Sequence, residues 1–157
     1  MVWRDGEKLS RVLETLFKQI LLQRMRGLPV LNQALSVQAV GFRQIDNEWL
    51  GVLLTPWFMN LLLLPGLEST WLVQNPGTKF DKAFPYGVFE FTVAKEEPLG
   101  VYGQCSLFSP MFQFSDQADA LAAAQAALQG LLQAAQPSSL SRRNLLLGRL
   151  AATESGE

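Results

Sequence analysis

The sequence predicts an α+β domain: one antiparallel sheet with a helix from each end of the chain packed on it. Three observations lead there. The first two dozen residues carry apolar side chains at spacings of three and four. The stretches 37–54 and 88–107 are strand-like and broken by turn residues. A late alanine-rich segment, 117–135, has the composition of a helix. With 157 residues, 48% of them hydrophobic and 17% charged, the chain suits a single domain with one substantial core.

Leu9, Val12, Leu13, Leu16, Phe17, Ile20 and Leu21 form one stripe of an amphipathic helix from about Asp5 to Met25, which Gly27 and Pro29 stop. Val37 to Ile45 reads as a strand, Asp46-Asn47 as a turn, and Trp49 to Leu54 as the returning strand. Leu61 to Leu64 is a short apolar run closed by Pro65-Gly66, suited to a buried strand that Trp71 to Val73 extends. Asn75 to Gly87 reads as a loop. Val88 to Val93 and Val101 to Leu107 make a hairpin around Glu97-Pro98-Leu99-Gly100. Ser115 or Asp116 caps the last helix, roughly Gln117 to Ala135, and Gln136-Pro137-Ser138-Ser139 ends it. The expected organisation is a domain over 1–136 and a tail over 137–157.

Composition excludes several classes of function. There is no histidine, which removes the commonest general base and a common metal ligand. The single cysteine, Cys105, allows neither an intramolecular disulfide nor a Cys/His metal site. A serine hydrolase triad lacks its base. Carboxylate-only sites remain possible but have no supporting motif, so no metal and no cofactor is expected. A formal net charge of -1 with no basic stripe gives no case for nucleic acid. The start, MVWRDGEKLSRVLETLF, has no signal-peptide pattern.

Trp49 to Leu67, WLGVLLTPWFMNLLLLPGL, contains no charged residue. Its length would pass for a membrane span, but Pro56, Asn60 and Pro65-Gly66 interrupt it, and the surrounding hairpins belong to a water-facing fold. No stable span is expected. Pro56 breaks the ladder at Thr55 to Asn60, where Trp57, Phe58 and Met59 would partly face solvent. Two readings stand for this corner: buried packing, or an apolar partner site.

The run Trp49-Leu50-Gly51-Val52-Leu53-Leu54-Thr55-Pro56-Trp57-Phe58-Met59-Asn60 resembles the signature of the HybE/HupJ family of nickel–iron hydrogenase assembly chaperones. Two further blocks resemble it in family order: Phe84-Pro85-Tyr86-Gly87-Val88-Phe89-Glu90-Phe91, and Gly103-Gln104-Cys105-Ser106-Leu107-Phe108-Ser109-Pro110-Met111. The resemblance implies a cytoplasmic chaperone, not an enzyme, that binds an immature hydrogenase subunit, large or small, and restrains premature assembly or twin-arginine export. It implies other maturation partners too, such as a rubredoxin. The paired cysteines of a rubredoxin are missing here, so iron binding is not carried over.

Candidate partner-binding residues are Thr55, Pro56, Trp57, Phe58, Met59 and Asn60, with Phe84, Pro85 and Tyr86 as a second rim and Pro110 and Met111 extending the surface. Each aromatic also has a plain packing explanation. Cys105 is a possible redox or cluster contact, which supports an alternative reading as a cofactor-delivery or oxygen-protective factor; a buried, inert thiol is the bland reading. In the tail, Ser141, Arg142, Arg143, Leu145 and Leu146 resemble a twin-arginine signal and suggest imitation of the small-subunit signal peptide. A plain amphipathic or disordered tail is the alternative.

Overall fold

The structure, a computed structural model, describes residues 3–134. Helix α1 (Gly6–Ile20) is followed by a π-helical turn (Leu21–Met25). Six strands follow: β1 (Gln38–Ile45), β2 (Glu48–Leu54), β3 (Met59–Leu64), β4 (Lys79–Phe84), β5 (Gly87–Glu96) and β6 (Gly100–Phe108). Helix α2 (Gln117–Leu131) comes last. The strands make one antiparallel sheet in the order β1-β2-β3-β6-β5-β4. This is the α+β arrangement that the sequence predicts.

Both helices start where a carboxylate satisfies an otherwise unpaired amide. Asp5 Oδ1 accepts the N–H of Glu7 at 2.9 Å, and Asp116 Oδ1 accepts that of Asp119 at 2.8 Å. Leu9, Leu13, Leu16, Phe17 and Ile20 of α1 are buried on one face of the sheet, with Trp49, Leu53, Leu62, Leu64 and Tyr102. Ala120, Ala124, Ala127, Leu128 and Leu131 of α2 are buried on the other, with Leu50, Val52, Leu54, Leu61, Leu63 and Phe91. Every residue of β2 and β3 is buried. Because side chains alternate between faces, covering both faces favours apolar residues on both, with Glu48 and Asn60 the polar exceptions in these two strands. That is the physical origin of the uncharged run. In β5 only one side enters the core, and Phe89, Phe91 and Val93 alternate with more exposed residues.

Two sequence expectations need correction. Trp71 to Val73 does not extend β3; the segment after Pro65-Gly66 is a series of turns. Trp71 is nonetheless buried, its indole stacked on Phe80 with centroids 4.7 Å apart and its Nε1–H donating to Glu48 Oε2 at 3.0 Å. The supposed loop from Asn75 to Gly87 contains β4. Its period of two is real, with Phe80, Lys82 and Phe84 less exposed than Lys79, Asp81 and Ala83. A lysine on the inner face hid the pattern.

That lysine reports the curvature of the sheet. Lys82 Nζ lies 3.1 Å from Glu48 Oε1 and 3.5 Å from Asp46 Oδ2, although β4 and β2 stand four places apart. In a flat sheet four spacings amount to about 19 Å. The sheet therefore curls around the α2 side until its far strand reaches the start of β2. Glu48 is buried and also accepts hydrogen bonds from the Ser69 hydroxyl and the Trp71 indole.

Candidate functional site

The corner between β2 and β3 is a two-residue loop, Pro56-Trp57, fastened by Thr55. The Thr55 N–H donates to the Phe58 carbonyl at 2.8 Å. Its hydroxyl donates to the same carbonyl at 3.1 Å and accepts the N–H groups of Trp57 (3.2 Å) and Phe58 (3.0 Å). A threonine hydroxyl thus satisfies the two amides that the break in the ladder would otherwise strand. Pro56 fixes its own φ, so little conformational freedom remains to be lost when something binds here.

The side chains of this corner divide. Thr55, Pro56, Met59 and Asn60 are buried, whereas Trp57 and Phe58 are partly buried. Met59 joins the core under α2. Asn60 donates from Nδ2 to Gln104 Oε1 at 3.3 Å, a bond within the sheet across to β6. Phe58 packs edge-on against Phe17 of α1 (centroids 6.1 Å apart) and against Trp57 (5.4 Å). The solvent-facing aromatic surface of the corner is therefore Trp57 and Phe58, on the α1 side.

Antiparallel register brings the β2–β3 corner, the β4–β5 turn at Pro85-Tyr86 and the segment after β6 to one end of the sheet. It does not put them on one surface. Phe84 and Met111 are buried in the α2-side core, where Phe84 meets Phe89 and Phe91, and Tyr86 is packed against that core. Tyr86 is half-buried, its N–H donates to the Leu131 carbonyl at 3.2 Å, and burial raises the pKa of its phenol. Pro85, Pro110 and Phe112 are exposed. The second rim and the corner thus occupy opposite faces.

Sequence reading missed the residue that joins the corner to the rest of this end. Asn32 donates its backbone N–H to the Pro56 carbonyl at 2.9 Å, and its Nδ2 donates to the carbonyls of Met111 and Phe114, both at 2.9 Å. No local pattern around Leu31-Asn32-Gln33 announces such a long-range role. Next to it, between the end of α1 and the loop over 26–33, lies a groove of about 320 Å³ lined by Leu21, Leu22, Arg26, Gly27, Leu31 and Gln33.

Cys105 is 3% exposed and faces the α2-side core from β6. Among the described residues no group of three or more His, Cys, Asp or Glu side chains converges as a metal site, and no helix is long and apolar enough to cross a membrane. Ser141, Arg142, Arg143, Leu145 and Leu146 lie outside the described residues, as does the end of the α2 segment beyond Ala134.

Comparison with known proteins agrees with this architecture. The chain is 40% identical to the hydrogenase expression/formation protein HupJ of Bradyrhizobium diazoefficiens, over 85% of this chain and 84% of that protein. It is 42% identical to the protein HoxT of Cupriavidus necator, over 88% of each. It is also 42% identical to the probable rubredoxin HupJ of Rhodobacter capsulatus, where the match spans 75% of this chain but only 42% of that longer protein. The solution structure of HybE from Escherichia coli shares the fold, with a TM-score of 0.66 at 23% identity over 83% of this chain and 80% of that one. The family profile described as NiFe-hydrogenase assembly, chaperone, HybE matches residues 8–148. With the blocks around Thr55, Tyr86 and Met111 all inside that match, the chain belongs to the HybE family of NiFe-hydrogenase assembly chaperones.

Proposed function

We propose that this chain is a non-enzymatic, cytoplasmic chaperone that binds an immature nickel–iron hydrogenase subunit and restrains its premature assembly or twin-arginine export. The observation that carries this reading is the Thr55–Phe58 corner: a backbone fixed by four hydrogen bonds holds Trp57 and Phe58 packed against the α1-side core but partly exposed. A preformed apolar knob suits protein recognition, because tryptophan contributes strongly to interfaces and a rigid loop costs little to order. Membership of the family supplies the class of client.

The test is co-purification of the tagged chain from cells producing the large subunit, the small subunit or neither. Capture of one subunit by the wild type, weakened about tenfold or more by Trp57→Ala in a variant that still folds, is the expected result. Loss of folding in Trp57→Ala would instead mark the corner as packing. Full activity in a Cys105→Ser variant is expected from a chaperone; loss of hydrogenase maturation in a folded Cys105→Ser variant would favour the redox alternative.

A further inference from the structure

One cation, Arg26, lines the groove next to the corner, and a second, Lys18, precedes it on α1. No aspartate or glutamate occurs between Glu14 and Asp46, whereas Lys18, Arg24, Arg26 and Arg43 do, in a chain whose formal net charge is -1. Arg24 is neutralised: its guanidinium makes a two-pronged pair with Glu96, both N–O distances 3.0 Å. Lys18 and Arg26 have no carboxylate within ion-pair distance among the described residues. They stand four residues before and four after Leu22, which is 63% exposed.

Shape agrees with charge. Leu21, Leu22 and Leu31 line the groove, and Leu28 (42% exposed) lies in the loop that bounds it. The π-helical turn over Leu21–Met25 forms one wall; such turns interrupt regular helices often at functional sites. The bond from Asn32 to the Pro56 carbonyl places Leu31 and Gln33 beside the corner, so groove and corner can be met by one partner.

We propose that this groove receives an acidic amphipathic segment of the client subunit, with apolar side chains on Leu21, Leu22 and Leu31 and carboxylates toward Lys18 and Arg26. This rests on the client-binding reading above and adds what the client must look like. Exposed ion pairs add little affinity, but the sign of the field selects partners and speeds encounter. A lysine- or arginine-rich segment would meet two unneutralised cations and be disfavoured.

The test places a photo-crosslinking residue at position 22, and separately at position 57, of the full chain in cells producing both hydrogenase subunits. Mass spectrometry then identifies the attached peptides. Position 22 is expected to label a subunit segment with Asp or Glu within one helical turn of its apolar residues. The double variant Lys18→Glu/Arg26→Glu, in exposed positions that leave the fold intact, is expected to lower capture about tenfold at low salt and less at high salt. Labelling of a basic segment, a lipid or a second copy of the chain from position 22 would overturn the proposal, as would unchanged capture by the double variant. Subunit labelling from position 57 with none from position 22 defeats the groove alone. No subunit labelled from either position, with no co-purification, defeats the client-binding reading and the groove with it.

Discussion

Asn32 and Pro56 are joined by a backbone hydrogen bond of 2.9 Å that ties the connection after α1 to the corner between β2 and β3. The side chain of the same asparagine holds the carbonyls of Met111 and Phe114, while its Oδ1 accepts the Ala34 N–H at 2.9 Å. Asn32→Ala removes all three side-chain bonds and leaves the backbone one. At about 1 kcal/mol net for each bond, the loss should be about 2–3 kcal/mol in urea unfolding. Asn32→Asp should also destabilise, because a carboxylate cannot donate to the two carbonyls.

Thr55 offers a sharper test of the corner. Thr55→Val keeps the shape but deprives the Trp57 and Phe58 N–H groups of their acceptor. We expect a loss of about 1–3 kcal/mol and faster hydrogen exchange at those two amides. Thr55→Ser keeps the hydroxyl and should recover most of the loss. If Thr55→Val folds but captures client poorly, preorganisation of the corner matters to binding as well as to stability.

Glu48 and Lys82 should behave as a coupled pair. Glu48→Ala leaves Lys82 near the core with only Asp46 at 3.5 Å, and strips the Ser69 hydroxyl and Trp71 indole of their acceptor. A cost of about 2–4 kcal/mol is expected, toward the lower end of that for a broken buried pair because Lys82 is 18% exposed. Glu48→Gln keeps an acceptor for Trp71 and should cost less. A double-mutant cycle with Lys82→Met should show coupling above 0.5 kcal/mol, as expected for groups in contact.

Alkaline titration should expose Tyr102. Burial, with a smaller push from the Glu96 carboxylate, holds its phenol above the ordinary value of about 10, against an opposing pull from Arg24. The unfolded chain therefore loses this proton first. The stabilisation is complete below pH 10 and is lost as pH rises beyond it, by up to about 1.4 kcal/mol per unit for one group. Tyr102→Phe should flatten that decline, whereas Tyr86→Phe, at the chain's other tyrosine, should change it less, since Tyr86 is half-exposed.

Elements with a regular period were legible from sequence. The stripe from Leu9 to Ile20 and the hairpin around Pro98-Leu99 follow from local spacing and appear as expected, and of the two capping candidates, Ser115 and Asp116, the cap is Asp116. What stayed hidden was set by tertiary curvature. Lys82 on an inner face masked β4, and Trp71 in a turn looked like strand because its indole is buried through a distant carboxylate. The corner was visible as a break at Pro56, but which of its residues face solvent depends on which face each meets. Met59 falls under α2, while Phe58 falls against Phe17 of α1. Asn32 was illegible for the same reason: its partners lie far away in sequence.

The inward lysine of β4 has a consequence for self-association. Among the described residues β4 is an edge strand of the sheet. Lys82 is tethered inward on that edge, and the exposed Lys79 and Asp81 flank Phe80. A foreign strand laid along β4 would have to settle beside a pinned ammonium group and a row of alternating charges. Edges of this kind resist strand-to-strand polymerisation. A protein that leaves Trp57 and Phe58 partly exposed at its corner is thereby guarded along β4 against strand-to-strand addition of its own copies.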